Sequence, residues 1–296
     1  MADRVCLIAT VRSPVNELLE FARYHLAAGV EKIVLFFDDP DDPAAAALAD
    51  VGKVVSIRCD AAYWAARRMQ KPDAIEHRQI ANANFALQIA RAEGYDWIAH
   101  IDSDELLLAE RPLGLVLAEY SADVVRFDIK EAVAEQDFYV CRFETTLFRQ
   151  PLTEDRRKRL ASIAPADIQG ILFEGEYFRA HTVSKAAVRL NSRIESMGIH
   201  GPRSPRLSEV QTPKIVLLHY DCIGIDDWRR KWVRRLDASG TATGMRAARV
   251  TQMKLFAQAY GDESAERALY ALMHKVTERQ KELLLGLDLM TVVRRA

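Results

Sequence analysis

The stretch Asp96-Trp97-Ile98-Ala99-His100-Ile101-Asp102-Ser103-Asp104-Glu105 decides how this chain is read. An apolar run of strand length empties straight into three carboxylates, and the carboxyl ends of strands in an open α/β sheet are where such sheets bind ligands. Asp102 and Asp104, two positions apart, converge on one hard cation if the chain turns at Ser103. Acids this close repel one another, and a divalent ion carrying a diphosphate relieves that repulsion while filling its remaining coordination positions. The competing reading is a solvated acidic turn or the first turn of a helix, where Asp and Glu are favoured.

Outward from this segment, short Val/Ile-rich runs alternate with helical patterns. Strands are expected at Val5 to Val11, Lys32 to Phe37, Lys53 to Arg58, Asp96 to Ile101 and Val124 to Ile129. These runs hardly alternate in polarity, as expected for strands buried on both faces. The class predicted is α/β, a mostly parallel sheet covered by helices. Ser13 as N-cap, Pro14 at the first helical position and Gly29 past the end bracket a helix with Val15, Leu18, Leu19, Ala22 and Leu26 on one face. A second helix is expected from about Glu76 to Glu93, stopping at Gly94. After about Tyr139 the pattern turns mixed α+β, with strands at Val140 to Phe148, Tyr177 to Leu190 and Lys214 to Tyr220. From Asp226 it reads helical, Leu269, Leu272, Met273, Val276, Leu283, Leu284 and Leu287 forming a stripe that packs on the protein's own core or meets an oligomer or membrane surface. The expected organisation is an α/β half over residues 1–138, a mixed half of the same domain over 139–224, and a helical segment over 225–296.

The chain has 296 residues, 49% hydrophobic and 28% charged, which fits one large or two small globular domains. Its 41 Lys plus Arg against 42 Asp plus Glu leave a charge of -1, with no global pull toward nucleic acid or an anionic membrane. The basic runs Arg156 to Arg159 and Arg229 to Arg235 accompany no recognised nucleic-acid module, so nucleic acid is not an expected partner. Arg12 follows the first apolar run where a signal peptide would carry small residues, and no apolar run approaches the ~20 residues of a membrane span. Four scattered cysteines without CxxC suit reduced thiols. The expectation is a cytoplasmic protein. Neither GxGxxG nor GxxxxGK[ST] is present, which removes the phosphate cradles of dinucleotide oxidoreductases and P-loop kinases.

Further residues could carry chemistry. Phe37-Asp38-Asp39-Pro40-Asp41-Asp42-Pro43 follows the second strand; its carboxylates accept hydrogen bonds from a ribose or base, or simply form a turn. Arg12, ending the first strand, meets a phosphate or a neighbouring acid. His25 and His100 read as structural, whereas His200 and His219 follow strand-like runs and either complete a metal site or hydrogen-bond at a strand end. Lys231 and Arg235 share a helical face toward a phosphate, with Trp228 and Trp232 a sugar-stacking edge or the aromatics that pack a charged helix. Glu174 and Glu176, flanking Gly175, are candidates for a general base or belong to an exposed hairpin turn.

Ala9-Thr10-Val11-Arg12, the helix Asn16-Glu17-Leu18-Leu19-Glu20-Phe21-Ala22-Arg23-Tyr24-His25 and Gly29-Val30 before the strand Ile33 to Phe37 resemble the opening of family 2-like glycosyltransferases. The DxDE segment, Lys185-Ala186-Ala187-Val188-Arg189, Ile199-His200 and Leu218-His219-Tyr220 extend the resemblance over roughly Val5 to Trp232. It implies a GT-A fold and transfer of a sugar from a UDP- or GDP-linked donor to a hydroxyl acceptor, such as a glycan in polysaccharide biosynthesis. It further implies Mn²⁺ or Mg²⁺ held by Asp102 and Asp104, with His219 or His200 completing the set. Thr10, Arg12, Asn16, Asp38, Asp39, Arg78, Ser103, Lys185 and Lys231 would then face the donor, and Glu174 or Glu176 the acceptor. The chain departs from the family in its Asp/Pro-rich turn and in lacking an obvious catalytic aspartate before a helix. Peripheral attachment at the inner face of the membrane, or a homo-oligomer, would run through the C-terminal helices. The alternatives are a non-catalytic sugar-nucleotide binder or assembly subunit, and a metal-dependent nucleotidyl or phosphoryl transferase.

Overall fold

The computed structural model describes residues 2–168, 170–190, 193–237 and 246–295. In chain order its elements are β1 (Val5–Val11), α1 (Val15–Ala27), β2 (Lys32–Phe37), α2 (Ala44–Ala47), β3 (Val54–Arg58), α3 (Ala61–Ala66), α4 (Ile75–Ala92), β4 (Trp97–His100), β5 (Glu105–Ala109), α5 (Leu113–Leu117) and β6 (Val124–Ala132). There follow β7 (Leu147–Arg149), α6 (Glu154–Ala161), α7 (Pro165–Ile168), β8 (Ala186–Arg189), β9 (Glu209–His219), α8 (Ile225–Asp237), α9 (Ala247–Ala259), α10 (Glu263–His274), α11 (Glu278–Gly286) and β10 (Met290–Val292). They fall into two compact units: Met1–Asp128 with Val183–Leu217, and Ile129–Thr182 with Leu218–Ala296.

In the first unit the sheet order is β6-β8-β4-β1-β2-β3. β1 pairs in parallel with both β2 and β4, β2 in parallel with β3, and β8 runs antiparallel between β4 and the start of β6. Cys6, Ile8, Val34, Phe36 and Ile98 belong to one buried cluster with Ala83, Ala86, Leu87 and Ala90 of α4, whose spacing of three and four residues gives the helix one apolar face. The alternate residues Leu7, Ala9, Ile33 and Leu35 are equally buried, so both faces of the sheet are covered. That double burial is why these strands read as unbroken apolar runs. Each Leu, Ile, Val or Phe side chain among them taken from water contributes about 1.5–3 kcal/mol. Gly29 ends α1 at φ +90, and a Cβ there would lie 2.8 Å from Cβ of Pro112. The mostly parallel sheet covered by helices is therefore the architecture found.

The capping of α1 differs from expectation. Pro14, not Ser13, is the N-cap residue and no side chain caps the helix, because the Ser13 hydroxyl is hydrogen-bonded to that of Ser103 at 2.9 Å. α3, β5, α5, α6, α7 and β10 have no counterpart among the expected elements; all but α6, with eight residues, are six residues or shorter.

The second unit joins the end of β6, β7 and β10 in an antiparallel ladder. Glu131 and Arg149, cross-strand partners, form a buried ion pair at 3.0 Å. α8, α9 and α10 pack around Trp228, Trp232, Phe256 and Tyr270. Three expectations are corrected here. The strand over Val140 to Phe148 shrinks to β7, preceded by a 3-10 turn at Arg142–Glu144. Of Tyr177 to Leu190 only Ala186–Arg189 is strand, because the buried Arg179 guanidinium donates to the carbonyls of Gly170, Glu176, Tyr177 and Met273 and satisfies the backbone without a ladder. The C-terminal stripe is only partly inside: Met273 and Leu284 are buried, Leu272 is 49% exposed, and Glu266, Tyr270 and His274 share the inner positions. Residues 238–245, within the expected run of helix after Asp226, lie outside the described residues. No helix among the described residues is long and apolar enough to cross a membrane.

Candidate functional site

β1 is flanked by two parallel strands reached in opposite directions, β2 on one side and β4 on the other. Such a reversal opens a crevice at the carboxyl ends of the two strands, where α/β sheets take their ligands. The acidic segment fills that position. Ile101 N–H donates to the Ile8 carbonyl at 3.1 Å, then the chain turns, Glu105 N–H meeting the Asp102 carbonyl at 3.1 Å and Asp102 N–H the Glu105 carboxylate at 2.7 Å. The Ser13 to Ser103 hydrogen bond ties this turn to the loop after β1.

Both Asp102 oxygens are held: Oδ2 accepts from Lys185 Nζ at 2.8 Å and Oδ1 from Gln79 Nε2 at 2.7 Å. Lys185 is 0% exposed, also donates to the Ile199 carbonyl, and lies 3.9 Å from Glu105. Burial pushes the Glu105 carboxyl well above the ordinary range; Lys185 pulls it down, but Asp102 and Asp104 add to the rise. Lys185 itself is raised: burial disfavours its charge, and Asp102 and Glu105 more than restore it. Within this unit Asp102, Asp104 and Glu105 cluster about the buried Lys185 ammonium. A cluster of carboxyl oxygens suits a hard divalent cation, which Asp102 and Asp104 would hold.

α4 serves all three neighbouring strand ends. Arg78 Nη2 donates to Asp38 at 3.2 Å with Nε 2.7 Å from the other oxygen, Gln79 reaches Asp102, and Asn82 Nδ2 donates to Thr10 Oγ1 at 2.9 Å while accepting from Tyr63 at 2.6 Å. The Asp/Pro-rich segment splits into two roles. Asp38 is buried and aimed by Arg78, whereas Asp39 accepts from Asp41 N–H as an ordinary turn residue. Arg12 and Asn16 are exposed at the start of α1. His200 lies in the loop before β9, its carbonyl accepting from Arg126. His100 is buried beside the Gly198 carbonyl, and burial, then Lys185, lower its pKa to about 4. His25 accepts from Leu107 N–H, so its other nitrogen donates to Phe21, and burial lowers it to about 3. Both are structural histidines.

The second unit holds the remaining expected residues. His219 ends β9 with its ring stacked on His181, centroids 4.6 Å apart. Lys231 donates to buried Asp221, as does Arg249. Burial would raise the Asp221 carboxyl, but Arg249 and Lys231, then His219, hold it well below the usual range. Trp228 and Trp232 are core residues, which corrects the sugar-stacking reading of that helix. Glu174 and Glu176 occupy a tight turn closed by paired hydrogen bonds between Phe173 and Glu176, and Glu176 pairs with Arg246 at 2.8 Å. Sequence reasoning missed Gln79 and Asn82, one and four residues past Arg78 on the same helix, and Asp221, two past His219; that spacing was the available signal.

No family model matches the chain. Two Arabidopsis thaliana proteins named Glycosyltransferase-like are 24% identical over 255 residues and 25% identical over 251 residues. The chain resembles glycosyltransferase-like proteins. The matches take in 74% of this chain and 54% and 47% of the two relatives, so the chain spans about half their length. Among solved structures, TarS of S. aureus in complex with UDP superposes at a TM-score of 0.35 and 13% identity, over 96% of this chain and 78% of that one. The mannosyltransferase PcManGT from Pyrobaculum calidifontis in complex with GDP-Man and Mn²⁺ gives 0.38 and 12%, over 97% and 79%. Superpositions this loose place no residue of this chain.

Proposed function

We propose that the chain transfers a sugar from a nucleoside diphosphate donor, UDP- or GDP-linked, to a hydroxyl acceptor, and that the donor diphosphate lies at the carboxyl ends of β1 and β4. The observation that carries this reading is the cluster of acidic side chains in the turn Asp102 to Glu105, at the switch point of a parallel sheet, with the buried Glu105 carboxyl pushed up by its surroundings. Kinship with glycosyltransferase-like proteins supports the choice of reaction.

The chain's own residues would act as follows. Lys185 and Gln79 fix the Asp102 carboxylate before any ligand arrives, so no reorganisation is needed at the moment of reaction. Asp38, oriented by Arg78, would offer a carboxylate to the ribose or base, and Arg12 and Asn16, exposed after β1 and in the first turn of α1, would meet the phosphates. A divalent ion at Asp102 and Asp104, with His200 as a further ligand, would supply positive charge to the departing diphosphate. The acceptor oxygen forms the new bond to the anomeric carbon as the bond to the diphosphate breaks. Incubation with UDP- and GDP-sugars and Mn²⁺ tests the reading by release of free sugar and nucleoside diphosphate. Release that is lost in Asp104→Asn supports it; nucleotide binding without turnover or transfer under a broad acceptor screen refutes the enzyme.

A further inference from the structure

We infer that two copies of this chain pair through β3, the edge strand of the first unit's sheet, antiparallel about a two-fold axis at Ser56. β3 is bonded to β2 on one side only. Ile33 N–H donates to the Lys53 carbonyl and Cys59 N–H to that of Phe37. In a parallel ladder this turns the main-chain groups of Val55 and Ile57 toward β2 and those of Val54, Ser56 and Arg58 outward. Val54 N–H is taken by the Val51 carbonyl, but among the described residues the N–H and carbonyl groups of Ser56 and Arg58 meet no hydrogen-bond partner. Such an edge accepts another strand, and proteins that keep theirs single place a proline or charges along it. β3, Val54-Val55-Ser56-Ile57-Arg58, has no proline and one charge, at its last position.

The strand is complementary to its own reverse. With Ser56 on the axis the two Ser56 residues exchange both main-chain hydrogen bonds, and each Arg58 N–H donates to the Val54 carbonyl of the other copy. A slip of one residue would set outward groups against inward ones. On the face shared with Val34 and Phe36, Val55, 38% exposed, comes to lie opposite Ile57 of the other copy, once on each side of the axis. On the other face the two Ser56 hydroxyls meet after a turn about χ1; Ser56 Oγ is buried without a hydrogen-bond partner among the described residues. The two Arg58 positions fall about 13 Å apart, beyond the screening length of about 8 Å at physiological salt. A strand of unrelated sequence would satisfy the main chain equally well; the hydroxyl pair and the two apolar pairs select a second copy.

The test uses the full chain. Sedimentation velocity should show a monomer–dimer equilibrium between about 1 and 100 µM. Its dissociation constant should rise at least about tenfold in Ser56→Pro, which removes the central N–H, and in Val55→Lys, which sets an ammonium against Ile57. Val55 is partly exposed, so Val55→Lys should melt like wild type. Register is read independently by oxidation. Chains carrying Val55→Cys, mixed with chains carrying Ile57→Cys, should form a mixed disulfide, because residues in that pair lie about 4.5 Å apart between Cα atoms; Val55→Cys chains alone should not cross-link. A chain that stays monomeric at about 100 µM, a dimer indifferent to Val55→Lys, or a mixed disulfide no more abundant than the Val55→Cys homodimer overturns the pairing.

Discussion

Replacing Lys185 with Met keeps the length of the side chain and deletes its charge. The ammonium is fully buried, 2.8 Å from Asp102 and 3.9 Å from Glu105. Removing one partner of a buried pair costs about 3–5 kcal/mol, against about 0–1 for a surface pair. Asp102 keeps 24% of its side chain in water, which places the loss near the lower figure, about 3 kcal/mol. At about 2–4 °C per kcal/mol this lowers Tm by roughly 6–12 °C. The pH dependence has a definite sign. Burial, opposed by Lys185, holds the folded Glu105 carboxyl above its unfolded value. The stability contributed by that group is present below the ordinary carboxylate range and is lost as pH rises through the elevated value. Without Lys185 the elevation grows, so the penalty in Lys185→Met should increase with pH, and Glu105→Gln in the same chain should recover part of it. Urea unfolding followed by tryptophan fluorescence from about pH 5 to 8 measures this. A penalty below about 1 kcal/mol that is flat with pH would refute the buried charge balance at the site.

Asp221→Asn should cost about 3–5 kcal/mol by stranding Arg249 and Lys231. In wild type the Asp221 contribution is present above the usual carboxylate range and lost only as pH falls through its depressed value; acid titration of stability should show the variant lacking that phase. Trp232→Ala should cost about 3–5 kcal/mol in chemical denaturation and leave nucleotide affinity unchanged, since its ring is core. A general base contributes about 10²–10⁴ in rate, so Glu174→Gln and Glu176→Gln, both in a hairpin turn, should change turnover by less than about threefold.

Much of the first unit was legible because burial on both faces writes itself as unbroken apolar runs: β1 and β2 begin and end where Val5, Val11, Lys32 and Phe37 mark them. The acidic turn was legible for the same reason, since it begins where the run stops. What pairs with it was not. Lys185 is 83 residues from Asp102, and β8, which follows it, enters the sheet between β4 and β6, a placement that no local pattern encodes. In the second unit apolarity misled. Tyr177, Phe178 and Ala180 are buried as irregular backbone held by Arg179, and Trp228 and Trp232 lie under a helix whose charges drew attention to its surface.

The most direct measurement is calorimetric titration of UDP and GDP, with and without Mn²⁺, into wild type and Asp104→Asn. The account predicts nucleotide binding that requires the ion in wild type and weakens at least about tenfold in the variant. Equal affinity in the two proteins, or binding indifferent to the ion, would contradict it.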